Sequence, residues 1–378
     1  MPCEVTIGIP VYNAEAFVRK VLDTVLRQTF PDIEVLLVDD CSTDHTVDVV
    51  EHYRSEHPRG DRIRLLRQPQ NGGPGMTRNR MIDEARGRYL YFMDADDEIV
   101  PEAIKLLYEA AQHYRAEVVY GSHQRIELYG EQRRTFYHQY PMTVFERRGE
   151  MASYAYRSYS RFQVQVWNVL IDIGFLRQSQ IRFINVKFWE DMAFTYDLVA
   201  HVSRGVLLPM VTYRYVCRPN TLSNFQHRDR IPRSEIEQTI ATINHIKQGC
   251  SELRYQPYVG YRSYDVTMNS FYMICRIIPI RDKIVPPVSD AELKTIASHP
   301  LTLGDILRSR RKLAANLFLW LLGHMPLWLF MPTVKMLGRY KKGIVKPYHN
   351  HQITPRNEKT TTTDDCSPAH DNTHDGRG

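Results

Sequence analysis

The sequence predicts an α/β fold, a mostly parallel, doubly wound sheet with a helical C-terminal extension, and three observations carry that expectation. From Val5 to about Gly121, short apolar runs alternate with amphipathic segments, the pattern of successive βαβ units. Two of those runs end in carboxylates, at Asp39-Asp40 and at Asp94, Asp96 and Asp97. Beyond about Ile231 the apolar residues fall at helical spacing instead, as in Ile236, Ile240, Ile243 and Ile246.

The elements follow in order. Val5-Thr6-Ile7-Gly8-Ile9 reads as the first strand, with no signal peptide ahead of it. Phe17, Val18, Val21, Leu22, Val25 and Leu26 share one helical face. A second strand spans Ile33 to Val38. Ser42, Thr43 and Asp44 then offer N-caps to a helix presenting Val47, Val50 and Tyr53. A third strand, Ile63 to Leu66, leads into Asn71-Gly72-Gly73-Pro74-Gly75. The next helix runs from about Met76 to Ala85, with Gly87 as its C-terminal cap. Tyr89 to Met93 is apolar throughout, as in a strand buried on both faces. A helix from about Pro101 to Tyr114 and a strand from Glu117 to Tyr120 complete the series.

A chain of 378 residues can bury one large domain plus an extension. Its net charge of +6 suits anionic ligands or lipid headgroups but does not by itself point to nucleic acid. The six cysteines contain no Cys-x-x-Cys pair, which fits reduced thiols in the cytoplasm better than a disulfide framework.

Ligands of open α/β sheets bind at the C-terminal edge of the strands. Asp94, Asp96 and Asp97 meet there and repel one another unless a cation sits among them; hard divalent cations prefer such oxygens. The plainer reading is an acidic turn before the helix that Pro101 starts. Asp39 and Asp40 suit either a base or ribose contact or turn chemistry. The glycine run lacks the Gly-x-Gly-x-x-Gly spacing of a dinucleotide loop, which argues against hydride transfer. Arg78, just inside the following helix, is placed either to meet an anion or to lie in solvent. Tyr154, Tyr156, Tyr159, Phe162 and Trp167 fit a sugar-stacking groove or an ordinary core. Phe188-Trp189-Glu190-Asp191 opens a helix with Phe194 and Leu198 inward. Its carboxylates serve the helix dipole or form a general base beside an aromatic wall.

Taken together, these stretches resemble glycosyltransferase family 2, nucleotide-sugar-dependent inverting enzymes of the GT-A fold, of the bacterial surface-polysaccharide type. The matching residues are Ile9 to Asn13, Val38 to Asp44, Asn71-Gly72-Gly73, Arg78-Asn79, Met93 to Asp97 and Trp189-Glu190-Asp191, in the family's order across roughly residues 4–225. The resemblance implies that Pro10, Val11 and Tyr12 line the nucleotide pocket, that Asp40 meets the base, and that Arg78 lies close to the donor. It implies that Asp94-Ala95-Asp96 is the family's Asp-x-Asp motif, Asp94 and Asp96 holding Mn²⁺ or Mg²⁺ and the donor diphosphate. Asp191 matches the catalytic base, with Trp189 and Glu190 on the acceptor side. Tyr213 to Ser223 resembles the closing region, where Arg218 would reach the diphosphate. Two departures stand out: Cys41 replaces a commoner glycine, and Val169 follows Trp167-Asn168 where a lysine is frequent.

The implied partners are a nucleotide-diphosphate sugar and a glycan or lipid-linked acceptor, without nucleic acid. The expected division is 1–225 catalytic, 226–305 a helical extension, 306–348 a basic and apolar segment, and 349–378 a disordered polar tail. Leu313 to Leu337 approaches the roughly 20 apolar residues that span a bilayer, but Gly323 and Pro326 interrupt it. Arg308, Arg310, Arg311 and Lys312 precede it, and no acidic residue occurs between Ile306 and Asn357. That composition fits peripheral contact with the anionic inner face of the cell membrane, a span, or packing on the catalytic domain. A haloacid-dehalogenase-type phosphatase is disfavoured, because its motif belongs near the N-terminus. The alternative to an enzyme is a non-catalytic sugar-nucleotide-binding or membrane-associated scaffold.

Overall fold

The computed structural model describes residues 3–129, 132–157, 162–217 and 230–340. Arg218, Tyr159 and the tail at 349–378 lie outside the described residues. The chain opens with β1 (Cys3–Val11), α1 (Val18–Leu26), β2 (Ile33–Asp39), α2 (Thr46–Glu56), β3 (Ile63–Arg67), α3 (Gly73–Glu84) and β4 (Gly87–Phe92). Then come β5 (Glu98–Ile99), α4 (Ala103–Tyr114), β6 (Val118–Tyr129), β7 (Gln132–His138), β8 (Thr143–Phe145) and α5 (Glu150–Arg157). The N-terminal part closes with β9 (Val169–Asp172), α6 (Ile173–Gln178), α7 (Glu190–His201) and β10 (Gly205–Cys217). The extension contains β11 (Ile231–Pro232), α8 (Arg233–Glu252), α9 (Val259–Ile280), β12 (Ile284–Val285) and α10 (Asp290–Ile296). It ends in α11 (Leu303–Ser309), α12 (Leu313–His324) and α13 (Leu327–Tyr340).

One sheet runs in the order β3-β2-β1-β4-β9-β6-β10-β5, with β7 on β6 and β8 on β10. The first four strands are parallel, as the βαβ pattern requires. The slot beside β4 is then taken by β9, antiparallel to both β4 and β6. The sheet is therefore doubly wound in its N-terminal half and mixed beyond. No local signal in β4 or β6 announces a partner that arrives about eighty residues after the one and about fifty after the other.

Alternation along the strands feeds two cores. Leu36, Val38, Leu90 and Phe92 face one cluster, while Val35, Leu37, Tyr89 and Tyr91 face the other, which α1 and α4 cover. The first cluster continues without a break from α3 and α7 into Ile243, Val266, Ile274, Leu293, Leu319 and Phe330 of the extension. Each such side chain contributes about 1.5–3 kcal/mol on burial. Arg262 of α9 is completely buried and ties the extension down. Its guanidinium donates to the Tyr156 hydroxyl at 2.5 Å and the Tyr196 carbonyl at 2.7 Å.

Local details depart from the sequence pattern in instructive ways. α3 begins at Gly73, so the glycine run supplies the helix's first turn. Gly87 opens β4 and caps nothing: a Cβ there would sit 2.6 Å from the Thr6 nitrogen. Tyr156, Phe162 and Trp167 are core residues, and Tyr154 packs against the core from its edge. Among the described residues no helix is long and apolar enough to cross a membrane. α12 and α13 instead pack on α9 and α10 of the extension.

Candidate active site

The carboxylates after β4 divide into two kinds. Asp97 is buried, accepting from the Tyr213 hydroxyl at 2.8 Å and the Val216 N–H at 2.9 Å. The Tyr213 oxygen in turn accepts from the Asp94 N–H at 3.2 Å. Burial, with Asp96 and Asp94 nearby, pushes the Asp97 carboxyl well above the ordinary range. Asp97 thus latches the β4 turn to β10. Asp94, Ala95 and Asp96 stay partly exposed at the sheet's C-terminal edge.

Arg78 of α3 reaches into that edge. One of its terminal nitrogens donates to Asp94 Oδ1 at 2.9 Å; the other donates to Glu190 Oε1 at 3.0 Å and Asp191 Oδ1 at 2.9 Å. The guanidinium is buried, with the Phe183 ring 5.6 Å away. The sequence left Arg78 open between an anion contact and solvent; the structure buries its guanidinium among carboxylates of the turn after β4 and of α7. Burial raises both Glu190 and Asp191 above the usual carboxylate range, and Arg78 opposes that rise.

Two backbone features let α7 come so close. Gly75 faces the Ile184 carbonyl and the Glu190 side chain, where a Cβ would meet atoms at 3.2–3.3 Å. Trp189 caps α7 with a left-handed φ of 64°, uncommon for a bulky residue. That turn aims Glu190 and Asp191 at Arg78, while the Trp189 ring packs partly buried against the core.

The residues expected on the nucleotide side sit at the ends of β1 and β2. Pro10 is partly buried and Val11 fully buried, whereas the Tyr12 ring is 53% exposed, with a face open for stacking. The Asp40 carboxylate accepts from the N–H groups of Gly72 and Gly73, both at 2.8 Å. It therefore fixes the start of α3, a turn role that the sequence held open beside the base contact. Lys187 Nζ, which sequence reasoning passed over, donates to Asn71 at 3.1 Å above this glycine turn. Only the fold brings it there, across more than a hundred residues.

The donor chemistry of Asp94 and Asp96 fits a divalent cation. Among the described residues no three His, Cys, Asp or Glu side chains converge as a self-sufficient metal site. Two partly exposed carboxylates are nevertheless what Mg²⁺-type sites use when substrate phosphates and water complete the shell.

The family model for glycosyl transferase family 2 matches residues 6–177. The uncharacterized glycosyltransferase EpsJ of Bacillus subtilis is 30% identical over 250 residues, spanning 64% of this chain and 70% of that protein. This chain belongs to glycosyl transferase family 2. It is a glycosyltransferase. The poly(ribitol-phosphate) beta-N-acetylglucosaminyltransferase TarS of Staphylococcus aureus is 38% identical over 99 residues, 26% of this chain but 17% of that protein. The poly(ribitol-phosphate) beta-glucosyltransferase of Bacillus spizizenii is likewise matched over 19% of its length. A crystal structure of TarS residues 1–349 in complex with UDP-GlcNAc superposes with a TM-score of 0.53 at 21% identity. It covers 90% of this chain and 92% of that one, so the two share the GT-A fold.

The two departures from the family pattern now have locations. Cys41 adopts a left-handed φ of 64°, the conformation that favours glycine there. Val169 is buried in β9 and faces the core. Asn168 beside it accepts from Thr212 Oγ1 at 2.6 Å and donates to the Gly121 carbonyl at 2.7 Å, pinning three strand regions together.

Proposed function

We propose that this transferase is an inverting enzyme. It moves a sugar from a nucleotide-diphosphate sugar to a hydroxyl of a glycan or lipid-linked acceptor in cell-surface polysaccharide assembly. It works in the cytoplasm, at the inner face of the membrane. The observation that carries the reading is the Arg78 cluster, in which one buried cation joins the carboxylate turn after β4 to the start of α7. A donor-binding edge and a proton acceptor thereby share one site.

In this reading Tyr12 and Asp40 hold the nucleotide, with Pro10 and Val11 shaping its pocket. Asp94 and Asp96 hold the divalent cation beside the diphosphate. Bound there, Mg²⁺ or Mn²⁺ neutralises the leaving group's charge. Asp191 takes the proton from the acceptor hydroxyl, which attacks the anomeric carbon opposite the departing diphosphate. A single displacement through an oxocarbenium-like transition state inverts the anomeric centre. Glu190 and Trp189 shape the acceptor side. A raised carboxyl pKa suits a general base, because a stronger base accepts the proton more readily near neutral pH. The likeness to TarS, a poly(ribitol-phosphate) beta-N-acetylglucosaminyltransferase whose structure holds UDP-GlcNAc, favours the same chemical class.

The test is release of nucleoside diphosphate from a panel of UDP-, GDP- and dTDP-sugars with Mn²⁺, wild type against Asp96→Ala. Metal-dependent release from one donor, abolished in the variant, is the expected result. Donor binding without product across soluble and lipid-linked acceptors would instead establish a scaffold.

A further inference from the structure

The last two helices wear their apolar residues on the outside. α12 is buried along Asn316, Leu319 and Leu322, yet its opposite side exposes Phe318 and Leu321. The connection and α13 expose Leu327, Trp328, Leu329 and Met336, while Phe330, Met331 and Val334 face inward. Trp328 is 75% exposed. A helix apolar all round ordinarily has both faces covered, and among the described residues only one is covered by protein.

The orientation of α12 is firmly held. Asn316, which in the sequence only interrupts an apolar run, is fully buried. It donates to the Gly260 carbonyl at 2.8 Å and the Arg311 carbonyl at 3.1 Å, and meets His299 Nε2 at 3.0 Å. Gly260 and Gly323 give the helix its close seat: a Cβ at either would lie within 3 Å of a backbone carbonyl. Asn316 therefore points inward with Leu319 and Leu322, and Phe318 and Leu321 point outward. Rolling the helix to hide Phe318 and Leu321 would break the Asn316 bonds, leave the Gly260 carbonyl without its partner, and bring Leu319 and Leu322 to the surface.

The charge beside this face identifies its occupant. Arg308, Arg310, Arg311 and Lys312 precede α12 and are exposed, and Lys335 is exposed on α13. The only carboxylate within α11–α13 is Asp305, which pairs with Arg308 at 3.0 Å. A second copy of the chain would bring the same cations against themselves, whereas an anionic lipid surface complements them. We propose that the outer face of α12 and α13, from Phe318 to Met336, docks this enzyme on an anionic bilayer, with Trp328 at the headgroup level and the basic run against lipid phosphates. This deepens the membrane-face reading above by naming the surface. It does not depend on the sugar or the acceptor.

The experiment is co-sedimentation of the full-length chain with vesicles of phosphatidylglycerol and phosphatidylcholine against phosphatidylcholine alone. Binding to the anionic vesicles that weakens as salt rises is expected. The variant Phe318→Ser/Leu321→Ser/Trp328→Ser should partition at least tenfold less, with unchanged circular dichroism and unchanged soluble nucleoside-diphosphate release. Arg310→Gln/Arg311→Gln/Lys312→Gln should lose the salt dependence. Absence of partition by the wild type would overturn the proposal, as would equal partition by the triple apolar variant. So would light scattering that shows a wild-type dimer turned monomer by that variant, which would assign the face to self-association. Release of nucleoside diphosphate is read separately, so failure of docking is distinct from failure of the enzymatic reading.

Discussion

Arg78 Nη1 lies 2.9 Å from Asp191 Oδ1, and the other terminal nitrogen lies 2.9 Å from Asp94 Oδ1, so one side chain links the proposed base to the first aspartate of the strand-end motif. The guanidinium fork makes both contacts at once, which a point charge on a flexible stem cannot reproduce. In the free enzyme Arg78 supplies the positive charge that these carboxylates need.

Replacing Arg78 should therefore cost stability as well as activity. Arg78→Met leaves the buried Glu190 and the partly buried Asp94 and Asp191 without their cation. A fully buried pair broken this way costs about 3–5 kcal/mol, and partial exposure places this loss toward or below the lower end. Arg78→Lys should fall between it and the wild type. Urea melts of the three proteins measure the difference; equal midpoints would show that the cluster contributes nothing to folding.

Asp191→Asn removes the proton acceptor while keeping a side chain that can still meet Arg78 through its amide oxygen. Turnover should drop by roughly 10²–10⁴, the usual contribution of general acid–base catalysis. Donor affinity by calorimetry should stay within a few-fold. Near wild-type turnover would reassign the base.

Cys41→Gly should raise stability by up to about 1 kcal/mol, since the left-handed backbone penalises a Cβ more than glycine's added chain entropy costs. The gain is reduced by loss of the thiol contact to the Gln68 carbonyl. Thermal melts read the net effect, and a lower midpoint would show that the thiol contact outweighs the backbone strain.

His245 of α8 lies 2.6 Å from Asp197 of α7, and that bond raises the imidazole pKa above its ordinary 6.5. The folded state therefore holds the proton more tightly than the unfolded chain. The resulting stabilisation is fully present below about pH 6.5 and is lost as pH rises through the folded pKa. The melting-temperature gap between wild type and His245→Gln should accordingly shrink from pH 5.5 to pH 9. A constant gap would remove the ion pair from the account of how the extension is held.

Much of the fold was legible because its signals are local. Strand runs such as Ile33 to Val38 and the helical face from Val18 to Leu26 carry their period in adjacent residues, and both appear as expected. The insertion of β9 beside β4 was not legible, because pairing over such a separation leaves no periodic mark on either strand. Gly87 illustrates the same limit. A glycine after a helix suggests a cap, and only the closeness of β1 shows that the residue is small to let two strands meet.

The sequence by itself determined the composition of the site and the family: aspartates at strand ends, a Glu-Asp pair opening a helix, and an ordered set of motifs. Those follow from which residues neighbour one another along the chain. Tertiary structure decided how they act on one another. It sent Asp97 into the core as a latch, left Asp94 and Asp96 partly open, turned Asp40 onto the glycine amides, and set Arg78 between two distant carboxylate groups. It also turned Phe318 and Leu321 of α12 outward by burying Asn316. Burial, charge pairing and hydrogen-bond satisfaction depend on distances in space, and those exist only once the chain has folded.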